Sequence, residues 1–97
     1  MTPDELRALD PAAVLRIDIR KNPDDRQIPG SIRHDGEALA AARELPFASD
    51  QPVVVYCGNG NSCGRVAATL RERGYDAVAL EGGYAAWVGA ELPTEPR

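Results

Sequence analysis

The residues whose types and spacing could do chemistry lie together in V-V-V-Y-C-G-N-G-N-S-C-G-R-V-A-A, from Val53 to Ala68. A β-branched run stops at a thiol, Cys57. Gly58, Asn59, Gly60, Asn61 and Ser62 follow, then a second thiol, Cys63, where a helical pattern begins. Gly58 and Gly60 can adopt positive φ, so the loop can curl with its N–H groups turned inward. The helix behind it presents free N–H groups and the positive end of its dipole. Such a cradle binds anions and favours thiolate, the nucleophilic form of cysteine. The predicted chemistry is a Cys57 thiolate that attacks a soft or anionic group and holds the resulting anion among loop amides. The competing reading makes Cys57 a small buried residue at a strand end.

The neighbours of that loop are read the same way. Cys63 is either a packing residue at a helix start or a resolving thiol able to form a disulfide with Cys57. Asn59 and Asn61 either contact substrate or tolerate left-handed geometry. Arg65 either faces solvent or lends positive field to the loop. Asp18 and Arg20 close an earlier strand, where a structural ion pair or loop hydrogen bonds are expected ahead of catalysis. The single histidine, His34, reads as a surface or turn residue, and Trp87 as core.

The elements that must position these residues follow from pattern. Thr2, Pro3 and Glu5 form a capping-box start for a short helix through Leu9. Val14–Ile19 reads as a strand, Arg20–Gly30 as a loop closed by Pro29-Gly30, and Ser31–Arg33 as a short strand. Alanine-rich Glu37–Glu44 is helical by propensity. Pro52 opens the strand V-V-V-Y, whose continuous apolar run fits burial on both faces of a parallel sheet. Val66, Ala67 and Leu70 mark one face of a helix from Cys63 to Arg73, with Gly74 just past its end. Ala77–Leu80 is a strand, Gly82-Gly83 a turn and Tyr84–Val88 a last helix. Alternating strands and helices predict an α/β fold, an open parallel β-sheet with helices on both faces.

The chain of 97 residues is long enough for one domain, here residues 1–92, with 93–97 expected to trail off as a C-terminal tail. A net charge of -4 argues against nucleic acid or an anionic membrane as main partner, while leaving room for a small basic site. No apolar targeting segment or membrane span is evident, so a cytoplasmic location with reduced thiols is expected. Two cysteines and one histidine cannot by themselves build a four-ligand zinc site.

Several motifs, in order, resemble those of the rhodanese-like domains, a sulfurtransferase family. I-D-I-R (Ile17–Arg20) is similar to the family's strand ending D-x-R, and Q-I-P-G-S (Gln27–Ser31) to its H-I-P-G-A turn. V-V-V-Y-C is similar to its active-site strand, and the run from Gly64 through L-E-G-G-Y-A-A-W to its following helix, strand and close. The resemblance implies that Cys57 carries sulfane sulfur as a persulfide, with no metal or organic cofactor. A small sulfur-containing anion, such as thiosulfate or 3-mercaptopyruvate, would load it. Cyanide or a cellular thiol, including a protein thiol, would unload it. The loop departs from the thiosulfate-using pattern, which commonly has arginine where Ser62 stands; C-G-N-G-N-S-C is closer to the mercaptopyruvate-type loop. Two alternatives stay open. One is a non-catalytic module of the same fold. The other is a phosphatase or arsenate reductase, whose C-x5-R loop would need arginine where Cys63 stands.

Overall fold

A computed structural model describes residues 1–97. Four parallel strands form the main sheet: β1 (Leu15–Asp18), β3 (Ser31–Arg33), β4 (Val53–Tyr56) and β5 (Ala77–Ala79), in the order β3-β1-β4-β5. The helices are α1 (Pro3–Ala8), α2 (Gly36–Ala41), α3 (Asn61–Glu72) and α4 (Gly83–Gly89). A two-stranded antiparallel ribbon pairs β2 (Arg26–Gln27) with β6 (Glu95–Pro96).

The period-2 alternation of β4 divides the core. Val53 and Val55 face the cluster holding Leu39 of α2 and Val66 and Leu70 of α3. Val54 and Tyr56 face Leu6 of α1 and Tyr84 and Trp87 of α4 on the opposite side. Helices thus cover both faces, which is why β4 tolerates no polar residue: all four of its residues are buried. Each such aliphatic side chain contributes about 1.5–3 kcal/mol on burial. The same parity carries one residue further. It sends the Cys57 side chain to the face of α3, into the cluster with Val55 and Val66.

The α1 capping box forms as expected, with Thr2 N donating to Glu5 Oε1 and Glu5 N to Thr2 Oγ1 at 2.8 and 3.1 Å. Trp87 is fully buried, and its Nε1 donates to Pro93 O at 2.8 Å.

Three expectations need correction. The segment 93–97 does not trail off. Thr94 accepts two bonds from the Arg26 guanidinium, at 3.0 and 2.7 Å, and Glu95 accepts one from Gln27. These side-chain bonds between distant residues fix the β2–β6 ribbon inside what reads as a plain loop. Helix α2 ends at Ala41 rather than Glu44. Ala42 turns to an extended conformation, and Arg73 of the neighbouring α3 segment takes the carbonyls of Ala40 and Arg43. Helix α3 starts at Asn61, two residues before the expected Cys63, for a reason that lies in the site itself.

Candidate active site

In an open parallel sheet, ligands bind beyond the carboxyl ends of strands whose connections diverge. Here those strands are β1, which leads to β3 on one side, and β4, which leads through α3 to β5 on the other. Cys57 follows β4, and Ile19, Arg20 and Lys21 follow β1. They share a surface cavity of about 310 Å³ with Asn22, Gly58, Asn59 and Ser62.

The loop is built around the Cys57 sulfur. Gly60 has φ 94, caps α3 and offers no side chain to do so. Gly58 keeps a negative φ, so only one of the two expected glycines needs the left-handed region. The first-turn N–H groups of α3 would be orphaned, but Cys57 Sγ accepts from Gly60 N at 3.1 Å and from Cys63 N at 3.4 Å. The sulfur therefore serves as the helix's capping acceptor, and this is why α3 can begin at Asn61. Asn61 N is taken by Asn59 Oδ1 at 3.2 Å, which gives Asn59 a loop-closing role.

Burial pushes the Cys57 thiol upward. The Cys63 amide, the Cys63 thiol and the amides of Gly60 and Ser62 outweigh it, so Cys57 sits below the ordinary cysteine value. The hydrogen bonds on the sulfur come from the Gly60 and Cys63 amides, and donors to the charged form favour it. Cys63 behaves oppositely. It is fully buried, and burial followed by its bond to Cys57 pushes it up to about 11. Its thiol also lies 3.8 Å from the Leu80 carbonyl. Both cysteines are free. The pair thus comprises one sulfur biased toward thiolate and one buried thiol biased toward its neutral form, bonded to the Leu80 carbonyl.

The start of α4 holds the loop from behind. Tyr84 N donates to Cys57 O at 2.7 Å and Ala85 N to Gly58 O at 2.8 Å. Gly83 has φ +61, and a Cβ there would lie 2.5 Å from Cys57 O, 2.7 Å from Gly60 N and 3.0 Å from Asn59 N. Sequence reasoning makes Gly82-Gly83 a plain turn. The G-G pair three residues past β5 was the available signal for this close approach.

Asp18 and Arg20 form the expected structural pair. Arg20 Nη2 donates to Asp18 Oδ2 at 2.7 Å and Arg20 Nε to Asp18 Oδ1 at 3.0 Å, both buried. Burial raises Asp18, but bonds from Arg20, its charge and that of Arg33 hold the carboxyl below the usual range. Arg20 also takes the Arg26 carbonyl at 2.7 Å and stacks 4.0 Å over Tyr84, tying the ribbon and α4 to the site. Tyr56 Oη bonds Ser31 Oγ at 2.7 Å and accepts from Ile28 N, anchoring the Gln27–Ser31 turn. Arg65 does not reach the Cys57 mouth; it lines an adjoining groove. His34 is half-buried, with its backbone N–H on Asp18 O. No group of three or more His, Cys, Asp or Glu side chains is placed to hold a metal ion. No helix is long and apolar enough to cross a membrane.

Fold and site together define an α/β open-sheet domain with a cysteine loop at its switch point. The rhodanese-like domain family model matches residues 2–90, and the chain belongs to that family. The thiosulfate sulfurtransferase GlpE of Pseudomonas syringae is 32% identical over 89 residues, covering 88% of this chain and 82% of that protein. An uncharacterized Synechocystis protein is 34% identical over 98 residues; that match covers 96% of this chain but 52% of the relative, so this chain spans about half of its length. A rhodanese-related protein of Thermoplasma volcanium superposes with TM-score 0.83 at 21% identity, covering 98% of this chain and 95% of that one.

Proposed function

We propose that this chain is a sulfurtransferase in which Cys57 carries sulfane sulfur from a small anionic donor to a thiophilic acceptor. The observation that carries the reading is the Cys57 sulfur, which takes N–H donors from Gly60 and Cys63 at the mouth of a cavity. With thiosulfate, the Cys57 thiolate attacks the outer sulfur. The S–S bond of the donor breaks, its electron pair leaves on sulfite, and a Cys57 persulfide anion remains. An acceptor thiolate or cyanide then attacks the terminal sulfur. The S–S bond to Cys57 breaks and its pair returns to Cys57 as thiolate.

Both half-reactions bring two anions together, which is unfavourable without nearby positive charge or donors. The loop amides supply donors to Cys57 Sγ, and the same groups can follow the charge as it moves to the persulfide. Cys63 contributes its backbone amide to that cradle. Asp18 and Arg20 act as scaffold.

A loop without charge suits a donor that needs fewer direct cation contacts, so 3-mercaptopyruvate stands beside thiosulfate as a donor. The phosphatase reading lacks an arginine on the loop to clamp phosphate bidentately. The test is sulfite release from thiosulfate in the presence of an acceptor, by the parent and by Cys57→Ser. Activity in the parent and none in a folded Cys57→Ser is expected. Equal activity in both removes the proposal.

A further inference from the structure

A larger cavity of about 460 Å³ adjoins the Cys57 mouth, between α2 and α3. Ile19, Arg20, Lys21 and Ser62 line both spaces, so the two are continuous. Thiosulfate and cyanide would fill little of it; cavities of about 300–1,000 Å³ take much larger organic ligands.

The charge of the groove is at odds with the chain. The protein carries a net -4, yet Arg20, Lys21, Arg33 and Arg65 line this groove, against Asp35 and Glu37. Most of these charges are already engaged. Arg20 and Arg33 pair with Asp18, and Asp35 accepts from Glu37 N and Ala38 N at the start of α2. Lys21 and Arg65 are exposed and take part in no ion pair within the chain. Arg65 lies one turn beyond Ser62 on α3, on the same face. Its side chain lines the groove beyond the Cys57 mouth, while Lys21 lines both spaces. Glu37 stands on the α2 rim as the one carboxylate there that neither caps a helix nor takes part in an ion pair.

We propose that this groove docks the sulfur acceptor, and that the acceptor is a peptide-like thiol carrying carboxylates several bonds from its sulfur. Lys21 and Arg65 hold the carboxylates, Glu37 receives an ammonium group, and the thiolate reaches the terminal persulfide sulfur through the mouth lined by Ser62. The S–S bond to Cys57 breaks with its pair on Cys57, and a new S–S bond forms on the acceptor, which leaves as a persulfide anion. Lys21 and Arg65 touch no reacting atom; they determine which acceptor is used. The inference rests on the sulfurtransferase reading, and the experiment separates the two.

Binding is read first without turnover, by amide chemical shifts of the isotopically labelled protein titrated with S-methylglutathione, which has no free thiol. Shifts are expected at Gly36, Glu37, Arg65 and Thr69, and they should fade in about 0.5 M salt, where the screening length falls to a few ångströms. Turnover is read with thiosulfate as donor and either glutathione or its diethyl ester as acceptor. The ester keeps the thiol and loses both carboxylate charges. The parent should prefer glutathione in kcat/KM, and Arg65→Gln or Lys21→Gln should each reduce that preference about three- to fivefold. No shift in the groove at millimolar ligand, or a preference unchanged in both variants, overturns the groove assignment. Groove shifts in a parent that transfers no sulfur overturn the sulfurtransferase reading and leave a peptide-thiol binding site.

Discussion

Replacing Gly83 with alanine perturbs the site from a position that lines neither cavity. Two terms act against the variant. A residue with a Cβ at φ +61 is in the left-handed region, at about 1–2 kcal/mol. The new methyl would also meet Cys57 O at 2.5 Å, Gly60 N at 2.7 Å and Asn59 N at 3.0 Å. All three are backbone atoms, so no side chain can rotate away. Overpacking of this kind adds about 1–3 kcal/mol. The sum, about 2–5 kcal/mol, corresponds to a melting temperature lower by roughly 10–25 °C for a domain of this size. The strain is released by moving α4 off the loop, which lengthens the Tyr84 and Ala85 bonds to residues 57 and 58 and spoils the amide cradle. Gly58→Ala is the matched control, since a Cβ there meets nothing within 4 Å and its φ is not positive. Calorimetry gives the stability. The alkylation rate of Cys57 by iodoacetamide across pH gives the thiolate fraction. Gly83→Ala should melt lower and, at temperatures where it remains folded, react more slowly near neutral pH than Gly58→Ala. Equal melting and equal alkylation in the two variants would refute the reasoning that α4 clamps the loop.

Two further perturbations probe the same structure. Cys63→Ala removes the side chain that helps hold Cys57 below its ordinary value but keeps the backbone N–H, so the Cys57 titration should move upward, as seen in the pH profile of alkylation; an unchanged profile would leave the Cys63 side chain as packing alone. Asp18→Asn leaves the buried Arg20 guanidinium without its counter-charge and should destabilise by about 3–5 kcal/mol at neutral pH. Because the folded Asp18 lies below its ordinary value, its contribution is complete above about pH 4 and is lost as pH falls through the folded value. The gap between parent and variant, measured by urea unfolding, should therefore shrink in acid; a gap that is constant down to pH about 2 contradicts this.

Much of the frame is legible in the chain because its signals are local. V-V-V-Y-C encodes both the doubly buried strand and, through parity, the face on which Cys57 emerges. Thr2 and Glu5 encode a cap that closes within one turn. What escapes is set by contacts between distant segments. The 93–97 segment has two prolines and no apolar pattern, and it is held by Arg26 and Gln27 far upstream. The start of α3 is hidden because its capping group is a sulfur across the loop instead of an adjacent Ser, Thr, Asn or Asp. The basic groove draws Lys21, Arg33 and Arg65 from three separate elements, so no sequence window contains it. Arg16 is buried in β1 and donates to the carbonyls of Leu6, Leu9 and Pro29. Its charge in an apolar strand gives no hint of those partners.

The central claim, that Cys57 carries sulfur, is tested most directly by intact-protein mass spectrometry with peptide mapping. The protein is incubated separately with thiosulfate and with 3-mercaptopyruvate, then desalted without reductant. The account predicts an added mass of about 32 Da, one sulfur atom held by covalent catalysis, on the peptide containing Cys57. Cyanide or a thiol should remove it, and Cys57→Ser should never acquire it. A protein that gains no mass from either donor, or gains it equally in Cys57→Ser, contradicts the account.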